Sequence, residues 1–216
     1  MTRVMERKTA QKLIVQTLTG AAFGAAGTFL FLKFGGKVAD FDDPARLAAA
    51  ATGIIYTLMG LFVGVGALAP GAGAKFLNVE DADEILAERK SIGPGAIGAL
   101  LIGLMLMAPG LTPGGDKAGA LSPDTALAIA AACLAGLLAV GWWIRGKVDE
   151  FNRQMGVESS AMAMNASLLL FGGWAALAHV GYVQWITPLG LLAGFALLEL
   201  GAIFWVVGKR GMLLPR

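Results

Sequence analysis

The residue with the clearest potential for chemistry is Glu199, an isolated acid within the apolar run of residues 195–203. It stands ten residues before Lys209, about 15 Å along a helix and hence near the middle of a bilayer. A charged side chain at that depth costs about 2.5 to 3.5 kcal/mol on insertion scales. We therefore predict that Glu199 is neutral and hydrogen-bonded, and that it faces protein or water rather than lipid.

Two polar residues are predicted at the same depth as Glu199. These are Tyr56 and Thr57, in the middle of the second apolar run. Since no lysine or arginine is predicted at that level, an ion pair is not expected. The three residues form a candidate intramembrane polar site, which is either a packing contact between helices or a site that carries a proton or cation.

Other patterns of catalytic or metal-binding chemistry are missing from the sequence. His179 is the single histidine, and no Cys, Asp or Glu stands at metal-ligand spacing from it. The motifs Gly-x-Ser-x-Gly, His-Glu-x-x-His and Gly-x-x-x-x-Gly-Lys-Ser/Thr do not occur. The near balance of 17 basic and 15 acidic residues argues against binding of nucleic acid. We expect no enzyme, metal site or cofactor.

The composition is that of a membrane protein. The 216 residues are 56% hydrophobic and 15% charged, against about 25% charged in soluble domains. We predict one all-α integral-membrane domain, residues 1–216, that forms a polytopic bundle of six spans. The predicted spans are residues 13–32, 47–69, 95–111, 124–144, 161–180 and 186–207. The first span ends without a small-residue cleavage site, so we expect it to remain in the mature protein.

Lysine and arginine lie mainly on one side of these spans. The arm before the first span carries four, the connectors after the second and fourth spans carry three each, and the tail carries three. Thirteen basic residues therefore lie on this side, against four on the other. Because basic loops are retained in the cytoplasm, we predict that both termini and both charged connectors are cytoplasmic.

Small residues recur on one face of each of the first two spans. They stand at steps of three or four residues: Gly20, Gly24 and Gly27 in the first span, and Gly53, Thr57, Gly60 and Gly64 in the second. Lipid provides no hydrophobic drive for helix association, so close approach along such stripes favours packing. We predict that the first two spans pack together here. The alternative is a homodimer contact or a lipid-binding groove.

The two charged connectors, residues 75–90 and 145–160, each contain an Asp-Glu-apolar element. The elements are Asp83, Glu84 and Ile85 in the first, and Asp149, Glu150 and Phe151 in the second, where Arg153 follows. Asp149 and Arg153 stand at i and i+4, a spacing that supports a helical turn. The connectors are either solvated loops or a docking surface for a cytoplasmic partner, with the apolar residues as anchors.

The run from Asp149 to Arg153 resembles the cytoplasmic Asp-Glu-x-x-Arg connectors of small multi-pass bacterial inner-membrane proteins of unknown function. The resemblance covers two short connectors, and Ala87 in the first stands where Arg153 stands in the second. It implies a location in the bacterial inner membrane and no particular activity.

Two functions are compatible with these patterns. The first is a non-catalytic subunit or assembly protein of a larger membrane complex, in contact with the lipid bilayer and with other membrane subunits or a second copy of the chain. The second is a small carrier or channel for a proton, cation or small solute, built around Glu199.

Overall fold

The computed structural model describes residues 43–112 and 119–212, together with the single positions 14 and 27. Over these ranges the chain is all-helical, with seven helices and no strand. The helices are α1 (Pro44–Leu68), α2 (Pro70–Phe76), α3 (Ala82–Ala87), α4 (Arg89–Gly110), α5 (Pro123–Ile144), α6 (Glu150–His179) and α7 (Pro188–Lys209). The predicted first span lies outside the described residues except at positions 14 and 27.

Five of the helices, α1, α4, α5, α6 and α7, are long and apolar enough to cross a membrane. The shortest have 22 residues, and about 20 residues span the hydrocarbon core of a bilayer. Each of the five overlaps one of the apolar runs found in the sequence. Their number, length and composition indicate a multi-pass membrane protein.

Capping residues fix where three of these helices begin. Asp43 accepts a hydrogen bond from the backbone N–H of Ala45 at 2.9 Å, and Thr187 accepts one from Gly190 at 3.2 Å. Ser122 caps α5 in the same way. A proline follows each cap at the first helical turn, where its missing N–H leaves no hydrogen bond unmade.

Helix α6 begins at Glu150, eleven residues before the predicted start of the fifth span. Asp149 caps it, with Oδ1 accepting from the backbone N–H of Asn152 at 2.9 Å and Oδ2 from the Asn152 side-chain amide at 2.6 Å. These bonds, the backbone one first, hold the pKa of Asp149 below its usual range. Most of the second connector is therefore helical, and residues 145–149 alone separate α5 from α6.

Helices α1 and α4 pack closely where glycines remove the side chains between them. A Cβ added at Gly53 would lie 2.7 Å from the carbonyl oxygen of Gly103, and one added at Gly60 would lie 2.8 Å from that of Ala96. At Gly64 the nearest atom is the Ala96 Cβ, at 3.7 Å. The two backbones are therefore in contact at the first two positions and further apart at Gly64.

The partner of this glycine face differs from the predicted one. The sequence pairs it with the first span, yet in the structure it meets α4. Gly27 instead lies against Ile54 and Leu58, and its Cβ would be 2.5 Å from Leu58 Cδ1. Those residues lie about 130° around α1 from the glycine face, at 3.6 residues per turn. Gly20 and Gly24 lie outside the described residues.

Two hydrogen bonds identify which connectors share an end of the bundle. The Asn78 side chain, between α2 and α3, donates to the carbonyl of Met212 after α7, at 2.7 Å. At the opposite end, Arg46 near the start of α1 donates to the carbonyl of Thr112 after α4. The first connector and the turn after α7 therefore lie at the same end.

Candidate functional site: the cavity at Glu199

A small buried cluster joins α1, α4 and α7 at the centre of the described chain. It consists of Tyr56, Ala99, Leu106 and Leu200, each less than one-tenth exposed. Burial of these side chains fixes the three helices relative to one another and provides one wall of a cavity.

The cavity has a volume of about 500 Å³ and lies between this cluster and α6. Helix α6 packs mainly against α7, which leaves a gap between it and the α1–α4 pair. Polar groups enter from three helices: Tyr56 from α1, Ser160 and Ser167 from α6, and Glu199 from α7. Pockets of about 300 to 1,000 Å³ are typical of small-molecule sites.

Glu199 is partly buried in the wall of this cavity. Its Oε1 atom accepts a hydrogen bond from the hydroxyl of Ser160 at 3.4 Å. That distance is long, because hydroxyl donors usually lie about 2.5 to 3.0 Å from their acceptors. Within the described residues this is the carboxyl group's one hydrogen bond, so most of its hydrogen-bonding capacity is unused.

Tyr56 and Thr57, predicted at the same depth, face different helices. Tyr56 lines the cavity, and its hydroxyl donates to the carbonyl of Ala196, in the turn before Glu199, at 2.8 Å. The hydroxyl of Thr57 instead points at α4, 3.7 Å from the sulfur of Met107. Consecutive helical residues are about 100° apart, so the structure brings Tyr56 to the cavity that Glu199 lines and turns Thr57 away.

The two serines on α6 were not singled out in the sequence. Ser160 and Ser167 are seven residues apart, close to two helical turns, so both reach the same face. Ser160 is the last residue of the polar connector and was expected in water. The spacing of seven residues between the two serines is the signal that could have identified this face.

Two of the three apolar residues predicted as anchors, Ile85 and Phe151, differ in accessibility. Ile85 is 0% exposed and packs inside the chain, so in this structure it is not available to a partner. Phe151 is 48% exposed, and the guanidinium carbon of Arg210 lies 5.3 Å from its ring centroid. The burial of Ile85 follows from the compact arrangement of α2, α3 and α4, which the local sequence does not reveal.

Acidic residues of the connectors make local contacts that shape helix ends. The backbone N–H of Glu80 donates to the carboxylate of Glu84 at 2.5 Å, and Asp83 lies in the first turn of α3. Glu150 forms a salt bridge with Arg153 at 2.6 Å, and both side chains are largely exposed. Exposed pairs of this kind contribute little to stability.

A salt bridge that the sequence did not indicate joins the end of α7 to α6. Arg210 lies 2.5 Å from the carboxylate of Glu158. Its hydrogen bond to Glu158 holds the pKa of that carboxyl group below its ordinary value. The same guanidinium contacts Phe151, so the second connector and the C-terminal turn lie at the same end of the bundle.

The described residues contain no group of three or more His, Cys, Asp or Glu side chains able to hold a metal ion. His179 stands in the last turn of α6, and Cys133 is buried in α5.

These features define a multi-pass helical membrane protein with a partly apolar cavity at an acidic residue. The chain matches no protein-family model, no curated protein and no solved structure.

Proposed function

We propose that this protein is a small carrier that moves a proton or cation across the membrane, with Glu199 as its binding group. The observation that supports this proposal is that Glu199 lines a cavity of about 500 Å³. Acidic residues within membrane spans commonly mark ion or proton pathways.

The chemistry expected at Glu199 is reversible exchange. In its protonated form the carboxyl group is neutral, which suits an apolar surrounding. In its ionised form it attracts a cation, and the bound cation offsets the cost of the charge. Proton and cation therefore compete for one group, which is the simplest way to couple their movements.

Flux measurements test this proposal. The purified chain is reconstituted in liposomes, and proton and cation fluxes are compared for wild type, Glu199→Gln and Glu88→Gln. Glu88 is an exposed acid at the end of α3, so it provides a matched loss of one charge outside the cavity. We expect Glu199→Gln to abolish flux and Glu88→Gln to retain it. Equal flux in all three proteins would refute the role of Glu199.

The second candidate is a non-catalytic subunit or assembly protein of a larger membrane complex. It is favoured by α5, in which Ala126 and Cys133 are the buried residues. Leu127 and Leu138 on this helix are 70% and 69% exposed, so lipid or another membrane subunit covers them. Purification in mild detergent, with the intact mass and the co-purifying proteins determined together, tests this function. Stoichiometric foreign subunits would support it, and a particle of this chain alone would count against it.

We propose six spans, with both termini on the cytoplasmic side of a bacterial inner membrane. The basic residues support this orientation, as does the contact of Asn78 with Met212 at one end of the bundle. Single cysteines at Asp83 and Asp124, both exposed, introduced into a Cys133→Ala chain, test it by labelling intact cells with an impermeant maleimide. We expect labelling at position 124 and protection at position 83. The reverse pattern would invert the topology.

A further inference from the structure

We propose that the Glu199 cavity takes a monovalent, hydrophobic organic cation. The inference rests on the proposed carrier function and names its class of substrate. It follows from the mostly apolar side chains that line the cavity, from their charge, and from the position of Gly27 on another face of α1.

The walls are mostly apolar. Among the described residues, twelve side chains line the cavity: eight are hydrophobic, and the four polar ones are Tyr56, Ser160, Ser167 and Glu199. Hard inorganic cations such as Ca²⁺ need about six to eight oxygen ligands, which this wall does not assemble. An organic cation needs one counter-charge and apolar surface for its body, and the cavity provides both.

The charge of the cavity walls determines the sign and valence of the ligand. Of the lining residues that the structure describes, Glu199 is the one acid and none is basic. The nearest basic residue on α7 is Lys209, ten residues away in the last turn, and the next residue, Arg210, is engaged by Glu158. A single positive charge therefore neutralises the ionised site, and an anion would meet uncompensated repulsion.

An aromatic side chain also lines the cavity. Phe195 lines the cavity and packs against Phe171 with ring centroids 4.8 Å apart. The Phe171 ring occupies the space beside Gly194, where an added Cβ would lie 2.6 Å from Phe171 Cζ. Aromatic faces attract cations that have lost water. Met105 and Met164 complete this wall with flexible thioether side chains that adapt to different shapes.

At Gly27, one of its two described positions, the first predicted span lies away from the cavity. Gly27 lies against Ile54 and Leu58 of α1. Tyr56 stands midway between them in sequence, which at about 100° per residue places it on the opposite face of the helix. Gly27 is therefore on the far side of α1 from the cavity, and a ligand is the occupant that we infer.

Binding of tetraphenylphosphonium to the full chain in nanodiscs tests this inference, with empty nanodiscs as the baseline for lipid partitioning. Tetraphenylborate, which has the same shape and the opposite charge, is the matched probe. We expect wild type and Glu88→Gln to bind the cation and not the borate. We expect Glu199→Gln to lose at least tenfold in affinity, and Glu199→Asp, which keeps the charge, to retain measurable binding if the amide variant fails to fold.

The outcomes separate the substrate class from the carrier function. Equal cation binding by wild type and Glu199→Gln, or equal binding of cation and borate, would overturn the inference. Absence of tetraphenylphosphonium binding alongside Glu199-dependent flux of protons or inorganic cations would also overturn it, while leaving the carrier function intact. Glu199-dependent binding without flux of any of these ions would uphold the site and refute transport.

Discussion

A methyl group added at Gly60 provides the sharpest test of how closely α1 and α4 approach. The new Cβ would lie 2.8 Å from both the carbonyl oxygen of Ala96 and the backbone nitrogen of Leu100. Ordinary contact begins at about 3.4 Å, so the shortfall is about 0.6 Å. Both atoms belong to backbone and cannot rotate away, so the helices must separate.

The magnitude follows from two opposing effects. Overpacking of a close contact costs about 1 to 3 kcal/mol, and replacement of glycine by alanine within a helix stabilises by about 0.5 to 1 kcal/mol. We expect Gly60→Ala to lower the free energy of unfolding by about 1 to 2 kcal/mol, a factor of about 5 to 30 in the folding equilibrium constant.

Gly64→Ala is the matched control, one helical turn away. Its Cβ would meet only the Ala96 Cβ at 3.7 Å, so we expect neutrality or a stabilisation of up to about 1 kcal/mol. Denaturant titration of the purified proteins in detergent, followed by circular dichroism, measures both. Equal destabilisation by the two variants, or a stabilised Gly60→Ala, would show that the backbones are not in contact at Gly60.

Three polar contacts give further expectations. Glu158→Gln weakens the bond to Arg210, so we expect a lower Tm than wild type at neutral pH. Because Arg210 lowers the pKa of Glu158, the difference in Tm between wild type and Glu158→Gln should vanish as the pH falls below 4.5 and through that lowered pKa. Thermal unfolding measured over a series of pH values tests this. Thr187→Ala removes the cap of α7 and should cost about 1 kcal/mol in a denaturant titration. Tyr56→Phe removes the donor to Ala196 and should cost about 1 kcal/mol in the same titration.

Each of these expectations has a contrary result, and the first two also have a control. For the pH series the control is Glu88→Gln, and a difference between Glu158→Gln and wild type that persists unchanged to pH 3 would contradict the assignment. Thr187→Ser keeps the hydroxyl and should restore stability, whereas equal loss in the serine variant would exclude a capping role. For Tyr56→Phe, unaltered stability would mean that the hydrogen bond from the Tyr56 hydroxyl to the Ala196 carbonyl does not stabilise the fold.

The sequence predicted the elements of the fold well because their signals are local. Apolar runs long enough to cross a bilayer and cap-proline pairs such as Asp43 with Pro44 depend on a few neighbouring residues. The predicted fifth span begins eleven residues after the start of α6, because the polar start of this helix resembles a loop in sequence. Its Asp149 cap and the contact of Glu158 with Arg210 stabilise a helix that is polar at its start.

The depth of the site residues in the membrane was predictable from the sequence, but the direction in which their side chains point was not. Counting residues from helix ends puts Tyr56 and Glu199 at one level, and in the structure both line the cavity. The same count cannot separate Tyr56 from Thr57, because the direction of a side chain depends on which helix lies beside it. Burial of Ile85 and the role of Ser160 likewise depend on neighbours distant in sequence.

The position of the cavity between two helix pairs has a mechanical consequence. One pair is α1 with α4, joined through glycines, and the other is α6 with α7. The buried cluster of Tyr56, Ala99, Leu106 and Leu200 crosses the boundary between the pairs, so movement of one pair against the other would widen or narrow the cavity only by repacking that cluster. Tyr56 spans this boundary through its bond to Ala196. Tyr56 therefore links the two helix pairs and also lines the cavity with Glu199. A ligand that contacts Tyr56 in the cavity would act directly on the contact between the pairs.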